Sequence, residues 1–342
     1  MAVFSRARIV TLVAALIGAS VFVLAGLPLP LLLGPMLGCL AFALAGAALQ
    51  GMGTVGTFFR TFLGVAIGST VTPEMITTLP SHGPTLALMP VFVLVIGLVG
   101  YPFFRKVMGY NHATAFYSAM PGGLQDMLIF GEEAGGNVRA MSLIHATRVL
   151  AIVTVAPVLL TFLYDLDLTR APGASASSFP VWDIALMIVA GVAGWKGGER
   201  IGLFGASILG PLIVTAGLSL AGIIHSRPPA EMIWIAQFFI GISVGAKYSG
   251  ITTRELRHDV LAGLAYAVVL AFLSFLFIEL ALRLSPAGTL DVWLAFLPGG
   301  QAEMAVVALV AGADVAFVVA HHLLRIFVVI LSAPFVAKWL DR

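Results

Sequence analysis

Long apolar runs, separated by short polar stretches, follow one another along almost the whole chain of 342 residues. A helix needs about 20 mostly apolar residues to cross the hydrocarbon core of a membrane. Ten runs approach that length, which predicts an all-α polytopic membrane protein. The predicted spans are residues 8–26, 28–49, 57–73, 84–104 and 138–163 in the first half and 181–200, 203–224, 232–249, 259–282 and 315–339 in the second.

Two further segments, residues 111–134 and 287–312, are long enough to cross but carry Pro-Gly-Gly near their centres. Proline removes a backbone donor and glycine loosens the chain, so a continuous helix through either segment is not expected. Each remaining piece has about ten residues, or about 15 Å of helix, which reaches only the middle of the membrane. Each segment therefore either dips in and returns or crosses as two half-helices.

The part of the chain around the first Pro-Gly-Gly recurs 177 residues later. Aligned without a gap, residues 121–157 and 298–334 are identical at eleven of 37 positions. This recurrence predicts a duplicated chain. The predicted organisation is a first membrane repeat at 1–164, a linker at 165–180 and a second membrane repeat at 181–342.

The distribution of lysine and arginine predicts that the two repeats are inverted with respect to the membrane. Basic residues accumulate on the cytoplasmic side. By that rule the span at 28–49 runs outside to inside, whereas its copy at 203–224 runs inside to outside. Each repeat then has five spans plus one re-entrant broken segment, with both termini in the cytoplasm. The basic residues used are Arg60, Arg105, Lys106, Lys196, Arg200, Lys247, Arg254, Arg257, Lys338 and Arg342.

Composition supports the membrane class and excludes others. Apolar residues make up 60% of the chain and charged residues 10%, whereas a soluble domain carries about 25% charged residues. The mean hydropathy is +1.06. A net charge of +2 without a basic patch gives no reason to expect a nucleic-acid partner. The single cysteine, Cys39, lies in an apolar run and is expected to be a packing residue.

Polar residues follow each Pro-Gly-Gly directly, where the interrupted helices expose their termini. Gln125 and Asp126 follow the first motif, and Gln301 and Glu303 follow the second. The N-termini of the second half-helices, near Leu124 and Gln301, suit an anionic group. The two acids are candidates to hold a proton or a sodium ion. The alternative is that each acid caps the first turn of its own half-helix.

The span after each broken segment carries a histidine and an arginine three residues apart. That spacing places each pair on one helix face, and a mid-span arginine is too costly to face lipid. The arginines either bind an anionic substrate or neutralise Asp126 and Glu303 during transport, or they are salt-bridge struts that tie the broken segment to its neighbour. His321 has no counterpart in the first repeat and is expected to be a packing histidine. The predicted substrate- and ion-binding residues are Pro121, Gly122, Gly123, Gln125, Asp126, His145, Arg148, Pro298, Gly299, Gly300, Gln301, Glu303, His322 and Arg325.

Two Leu-Gly-Pro steps, at 33–35 and 209–211, also correspond between the halves. A proline there is expected to kink or unwind the helix, or else the glycine beside it allows two helices to pack closely. Both interpretations stay open.

The Pro-Gly-Gly segments at 120–127 and 297–304, the Leu-Gly-Pro steps and the His/Arg pairs together resemble the AbrB family of duplicated bacterial membrane proteins. Its members are also labelled ammonia monooxygenase or transcriptional regulator, and the family is grouped with cation:proton antiporters and anion transporters. The resemblance covers nearly the whole chain. It implies inverted repeats, secondary transport and a place in the bacterial inner membrane.

Duplication, broken segments and intramembrane charge favour an ion-coupled secondary transporter for a small anionic or polar solute, with alternating access around a midplane site. One alternative is a membrane protein that regulates gene expression, and another is a membrane-bound monooxygenase. No enzymatic activity is expected, because few histidines and carboxylates lie at depth to bind a metal. The expected partners are the solute and the lipid bilayer, with Na⁺ or H⁺ as coupling ion and no cofactor. A homodimer is left open.

Overall fold

A computed structural model describes residues 5–73, 77 and 79–340. In that part of the chain every regular element is a helix. The two chain termini, whose side of the membrane is predicted above, lie outside the described residues. Besides short 3₁₀, π and single-turn segments, the helices of eight or more residues are α1 (Arg6–Leu24), α2 (Pro30–Leu44), α3 (Gly53–Gly68), α4 (Gly83–Pro102), α5 (His112–Ala119), α6 (Leu124–Glu133), α7 (Val138–Tyr164), α8 (Val181–Arg200), α9 (Ala206–Leu220), α10 (Ala230–Gly245), α11 (Leu261–Leu284), α12 (Thr289–Phe296), α13 (Gln301–Ala311) and α14 (Val315–Leu340).

Among the described residues, seven helices are long and apolar enough to cross a membrane, as in a membrane protein. They correspond to α1, α4, α7, α8, α10, α11 and α14, and short turns extend α4, α10 and α11 to the spans Pro80–Val107, Ala230–Tyr248 and Thr253–Leu284. The other three predicted spans are also helices but are shorter than predicted. α2, α3 and α9 have 15, 16 and 15 residues, or about 22–24 Å of helix at 1.5 Å per residue.

Helices α2 and α9 are short because a glycine ends each of them. Gly46 and Gly222 adopt left-handed backbone angles, with φ of 86° and 67°. Their N–H groups bond to the carbonyl groups of Ala43 and Ser219 in the last turn, which is a common way for a helix to stop at glycine. Apolar residues continue beyond both glycines. The hydrophobic pattern therefore overestimates the lengths of these two helices.

The helices form two compact units. The first comprises Met1–Leu79, Ala156–Gly250 and Ala302–Ala316, and the second comprises Pro80–Val155, Ile251–Gln301 and Phe317–Arg342, within the described part of each. Each unit takes helices from both halves of the chain. The compact units and the sequence repeats are therefore different divisions of the chain, and the repeat boundaries stay a prediction.

Glycine contacts hold neighbouring helices of the first unit together. Helix α1 crosses α2 where Gly18 lies against the backbone of Gly34, and α8 crosses α9 where Gly194 lies against the backbone of Gly210. A side chain at any of these positions would overlap the facing backbone. Small residues allow such close approach between membrane helices. The second crossing involves the residues found 176 positions after those of the first.

A second pair of contacts in this unit involves the Leu-Gly-Pro steps. Gly64 of α3 lies against Pro211 of α9, and Gly241 of α10 lies against Pro35 of α2. Both prolines stand inside helices that continue past them. The Leu-Gly-Pro steps are therefore places of close helix packing, and neither helix is unwound there.

The segment at 165–180 folds against the first unit instead of forming a loose connector. The N–H of Leu29 donates to the carbonyl of Leu168 at 3.1 Å, and the N–H of Ala230 donates to the carbonyl of Ala174 at 2.9 Å. Leu168 is buried. The segment is thus held near its middle by backbone hydrogen bonds to helices from both halves of the chain.

The second unit contains both Pro-Gly-Gly motifs. The helix stops at Ala119 and resumes at Leu124 around the first motif, and it stops at Phe296 and resumes at Gln301 around the second. The predicted interruptions are therefore present. Residues 121–123 are called the first break and residues 298–300 the second break. The hydroxyl of buried Tyr266 from α11 donates to the carbonyl of Ala119 at 3.0 Å and so helps to fix the end of α5.

Candidate functional site

The first break leaves a buried carbonyl group without its helical partner. In a continuous helix the carbonyl of Tyr117 would accept from the N–H four residues later, but that residue is Pro121, which has no N–H. His145 of α7 supplies the missing donor, because its Nε2 lies 2.9 Å from the Tyr117 oxygen. Since a carbonyl can only accept, Nε2 carries the proton. The histidine thus completes the end of a half-helix on a neighbouring element.

The second break has the same chemistry 177 residues later. Pro298 cannot donate to the carbonyl of Leu294, and Nε2 of His322 on α14 lies 3.0 Å from that oxygen. Both histidines are buried. A buried carbonyl without a partner costs about 1–3 kcal/mol, so each histidine stabilises the break that its own half of the chain contains. The sequence contained this signal, since counting four residues back from each proline finds the exposed carbonyl.

The arginines bind the carbonyl groups nearest each break. Nη1 of Arg148 donates to the carbonyl of Met120 at 3.3 Å, and Nη1 of Arg325 donates to the carbonyl of Leu297 at 3.3 Å. Nη2 of Arg325 also donates to the carbonyl of Gly299 at 2.9 Å. A cation at this position is favourable because the C-terminus of a helix carries partial negative charge. The arginines contact the broken segments through carbonyl groups, and among the described residues neither makes the salt bridge that the strut interpretation predicts.

The two guanidinium groups are close enough for their charges to interact. Arg148 and Arg325 each expose only 3% of their surface, and among the described residues of the second unit neither forms an ion pair with a carboxylate. Gly122 of the first break lies against Val329, one helical turn beyond Arg325. The first break and the second arginine helix are therefore neighbours in this unit. The result is a buried region with excess positive charge.

The first half-helix after a break, α6, begins at Leu124 and is largely open. Asp126 lies in its first turn, and its carboxylate lies against Gly123 at the start of the helix. Gln125 is exposed and Asp126 is half-buried. This geometry is what the capping interpretation of Asp126 requires, since a carboxylate there offsets the positive end of the helix.

The second such half-helix, α13, begins at Gln301 and carries Glu303 in its first turn. Glu303 exposes 8% of its surface and belongs to the first unit. There its charge interacts with that of Arg60, whose charge also interacts with that of Lys247.

The position of Arg60 differs from the one used to predict the orientation of the repeats, where Arg60 marks a cytoplasmic loop. It lies in the middle of α3 and is partly buried, and its Nε is buried without a hydrogen-bond partner among the described residues. Sequence reasoning missed it as a site residue. An isolated arginine in an otherwise apolar run was the available signal.

The predicted site residues belong to both compact units. Glu303 lies in the first unit, and the other predicted residues lie in the second. Those of the second unit are Pro121, Gly122, Gly123, Gln125, Asp126, His145, Arg148, Pro298, Gly299, Gly300, Gln301, His322 and Arg325.

His321 is a packing histidine, as predicted. Its Nδ1 lies 2.8 Å from the carbonyl of Phe317, and its Nε2 lies 3.0 Å from the hydroxyl of Thr85. Both ring nitrogens therefore have partners within the second unit. Across the described residues, no group of three or more His, Cys, Asp or Glu side chains is arranged to hold a metal ion. Cys39 is buried, with its Sγ 3.7 Å from the carbonyl of Thr11.

The described part of the chain has seven membrane-length helices and two proline interruptions, and a buried histidine and arginine bind the carbonyl groups at each interruption. The protein is a polytopic α-helical membrane protein with two matching polar breaks. Residues 31–341 match the family described as "Transition state regulatory protein AbrB", and the chain belongs to that family. The resemblance inferred from its motifs is confirmed at that level.

Two relatives are similar in sequence to this chain along most of their lengths. The chain is 28% identical over 325 residues to "Putative regulator AbrB" of Escherichia coli (strain K12). The aligned region covers 94% of this chain and 92% of that protein. It is 25% identical over 288 residues to "Uncharacterized protein YhjN" of Bacillus subtilis (strain 168), which covers 80% and 75%. Neither name denotes an enzyme. No solved structure matches the chain.

Proposed function

We propose that the protein is a secondary transporter for a small anionic solute. The observation that carries the proposal is the pair of buried guanidinium groups, Arg148 and Arg325. Their charges interact, and no carboxylate among the described residues of their unit makes an ion pair with either. Like charges buried together are costly. An anion between or beside them relieves that cost, so the unit has higher affinity for an anion than for a neutral solute.

A duplicated, inverted architecture is part of the proposal. Its support is that contacts recur with the sequence offset: His145 and His322 each bind a carbonyl 28 residues upstream. The glycine crossings of the first unit recur in the same way. With Arg60 inside a helix, the inversion rests on Arg105, Lys106 and the basic clusters of the second half.

The remaining features of the proposed architecture follow from these repeats. They span 1–164 and 181–342, are joined by 165–180, and place each broken segment as a re-entrant pair. The proposal places the protein in the bacterial inner membrane with both termini in the cytoplasm.

The two acids are the proposed sites of coupling. Asp126 and Glu303 each begin a half-helix, where a carboxylate that gains and loses a proton or Na⁺ changes the local charge by one unit. Glu303 is the stronger candidate, because it is buried and its charge interacts with Arg60. Proton binding to Glu303 would release Arg60 from that interaction.

The name of the family and that of the Escherichia coli relative favour a second candidate, a membrane protein that affects gene expression. Transport of an effector solute would produce such an effect without direct contact with DNA.

Uptake into proteoliposomes tests the transporter. Purified protein is reconstituted, and uptake of labelled small anions is measured under an imposed proton gradient and then under an imposed sodium gradient. Arg148→Gln and Arg325→Gln should each abolish uptake because they remove the buried charge. Arg170→Gln is the matched control, since its side chain is 78% exposed, and should transport normally. If no anion moves under either gradient, the proposal is wrong.

A further inference from the structure

Each His/Arg pair leaves the same two atoms without a partner. After the carbonyl contacts are made, Nδ1 of His145 and Nε of Arg148 are buried with no hydrogen bond among the described residues. Nδ1 of His322 and Nε of Arg325 are left in the same state. Buried polar atoms are nearly always hydrogen-bonded, so a repeated exception calls for an explanation.

The two open atoms have opposite hydrogen-bonding character. Because Nε2 of each histidine donates to a carbonyl oxygen, Nδ1 of the neutral ring is a lone-pair acceptor. A neutral ring is the expected form beside a buried guanidinium, because a second positive charge there is unfavourable. The arginine Nε–H can only donate. Each pair thus presents one cationic donor and one neutral acceptor.

Charge balance limits the valence of a ligand. Arg148 and Arg325 carry two positive charges, and each caps the C-terminus of a half-helix, which supplies about half a negative charge. About one positive charge therefore remains. Asp126 does not remove it, since its carboxylate lies against Gly123 at the start of α6 and forms no ion pair with either arginine among the described residues. A monovalent anion matches the remainder, whereas a divalent anion exceeds it.

We propose that Arg148, Arg325, His145 and His322 bind a monovalent oxyanion that carries a hydroxyl group. Its oxyanion accepts from arginine Nε–H, and its hydroxyl donates to the Nδ1 of one of the two histidines. This inference rests on the proposed function and specifies the solute class of the same site. Hydroxymonocarboxylates, hydrogencarbonate and dihydrogenphosphate share this chemistry.

The four atoms are sealed from solvent in this conformation. Entry of the solute therefore requires the half-helix ends at the breaks to move away from α7 and α14. Such movement is what a carrier needs if its empty site closes before it reorients.

A matched set of ligands tests the proposal on the full-length protein in detergent. Glycolate has a hydroxyl, acetate lacks it, and tartronate adds a second carboxylate, and calorimetry measures the affinity of each. Glycolate should bind about 10- to 100-fold more tightly than acetate, because acetate leaves a buried acceptor unpaired. It should also bind more tightly than tartronate. Hydrogencarbonate and dihydrogenphosphate, measured against nitrate and sulfate, identify which source of the chemistry fits best.

A spectroscopic readout separates ligand contact from a purely structural role. In ¹⁵N-histidine-labelled protein, the Nδ1 signal of His145, of His322 or of both in exchange should shift with glycolate and not with acetate. His145→Gln and His322→Gln assign the signals, since glutamine retains an N–H for the carbonyl. Arg148→Lys and Arg325→Lys should weaken glycolate binding if they fold, and Arg170→Lys should not.

Each outcome decides the question. Equal affinity for glycolate and acetate overturns the hydroxyl requirement but leaves an anion transporter standing. Tighter binding of tartronate overturns the charge balance. Absence of binding by every anion overturns both this inference and the proposed function. Unshifted histidine signals in the presence of bound glycolate overturn the role of Nδ1.

Discussion

The two half-helices that follow the breaks begin with the same motif but have different surroundings. In α13 every residue from 303 to 309 is buried, whereas in α6 only Met127 and Gly131 are buried. Helix α13 is apolar throughout after Glu303, whereas α6 ends in Gly-Glu-Glu. The backbone chemistry of the breaks is nevertheless the same.

Matching sequence motifs therefore establish matching local chemistry without establishing equal roles. The histidines and arginines act alike in both copies, but the acids do not. Asp126 is half-buried at a helix start, and Glu303 is buried with Arg60 as its charged neighbour. If one acid couples ion movement to transport, the comparison selects Glu303.

Arg60→Leu should have the largest effect, because it removes the charge that interacts with Glu303. The Glu303 carboxylate then stays buried without that charge nearby, so thermal unfolding in detergent should occur at a clearly lower temperature. Gln237, which aligns with Arg60 177 residues later, provides the matched control. Its amide nitrogen is buried without a partner among the described residues, so Gln237→Leu should be neutral or slightly stabilising.

Adding Glu303→Gln to Arg60→Leu should restore most of the lost stability, because a neutral amide no longer needs the arginine. Equal losses at positions 60 and 237, or no restoration in the double variant, would show that the surroundings of Glu303 are not special.

Gly18→Ala and Gly194→Ala should have the next largest effect and should resemble each other. A methyl group at either position overlaps the facing backbone, and such overpacking costs about 2 kcal/mol. Gly197→Ala is the control on the same helix as Gly194, because open space surrounds it. It should stabilise α8 by about 0.5–1 kcal/mol. A large difference between the variants at 18 and 194 would mean that the copies also differ in the first unit.

His145→Leu and His322→Leu should each cost about 1.5 kcal/mol, because each leaves a buried carbonyl without a donor. The two losses should agree within about 0.5 kcal/mol in thermal or denaturant unfolding. Glutamine at either position should recover part of the loss through its N–H. If only one histidine matters, the breaks are not chemically equivalent and the comparison above fails.

Asp126→Asn should have the smallest effect on stability, about 0.5 kcal/mol, because the carboxylate only offsets the positive end of α6. Its effect on ion-coupled uptake should also be smaller than that of Glu303→Gln. Proteoliposome uptake under a proton gradient measures both. Loss of coupling in Asp126→Asn with normal coupling in Glu303→Gln would reverse the assignment.

Hydrophobic runs and proline chemistry predicted where the helices lie and where two of them break. The ends of α2 and α9 could not be predicted from the hydrophobic pattern, because apolar residues continue beyond Gly46 and Gly222, where the helices end. The position of Arg60 was also misjudged, since charge bias treats every basic residue as a boundary marker.

The residues of the candidate site and their local contacts could be predicted from the sequence, but the packing around the two acids could not. The spacing of His145 and Arg148 placed both on one face, and each binds the end of α5. That His145 binds a carbonyl group follows from the sequence, because the carbonyl four residues before Pro121 has no helical donor. The unequal burial of Asp126 and Glu303 does not follow from local sequence, because it depends on which helices pack around α6 and α13.

Closure of each break by one imidazole has a consequence for motion. Turning the histidine away leaves a buried carbonyl without a donor, at a cost of about 1–3 kcal/mol, so the open form would hold roughly 1–15% of the molecules at equilibrium. Rotation of a side chain is fast compared with movement of a whole helix. We therefore expect the breaks to open and close many times during each slower rearrangement, with His145 and His322 sampling the open form independently.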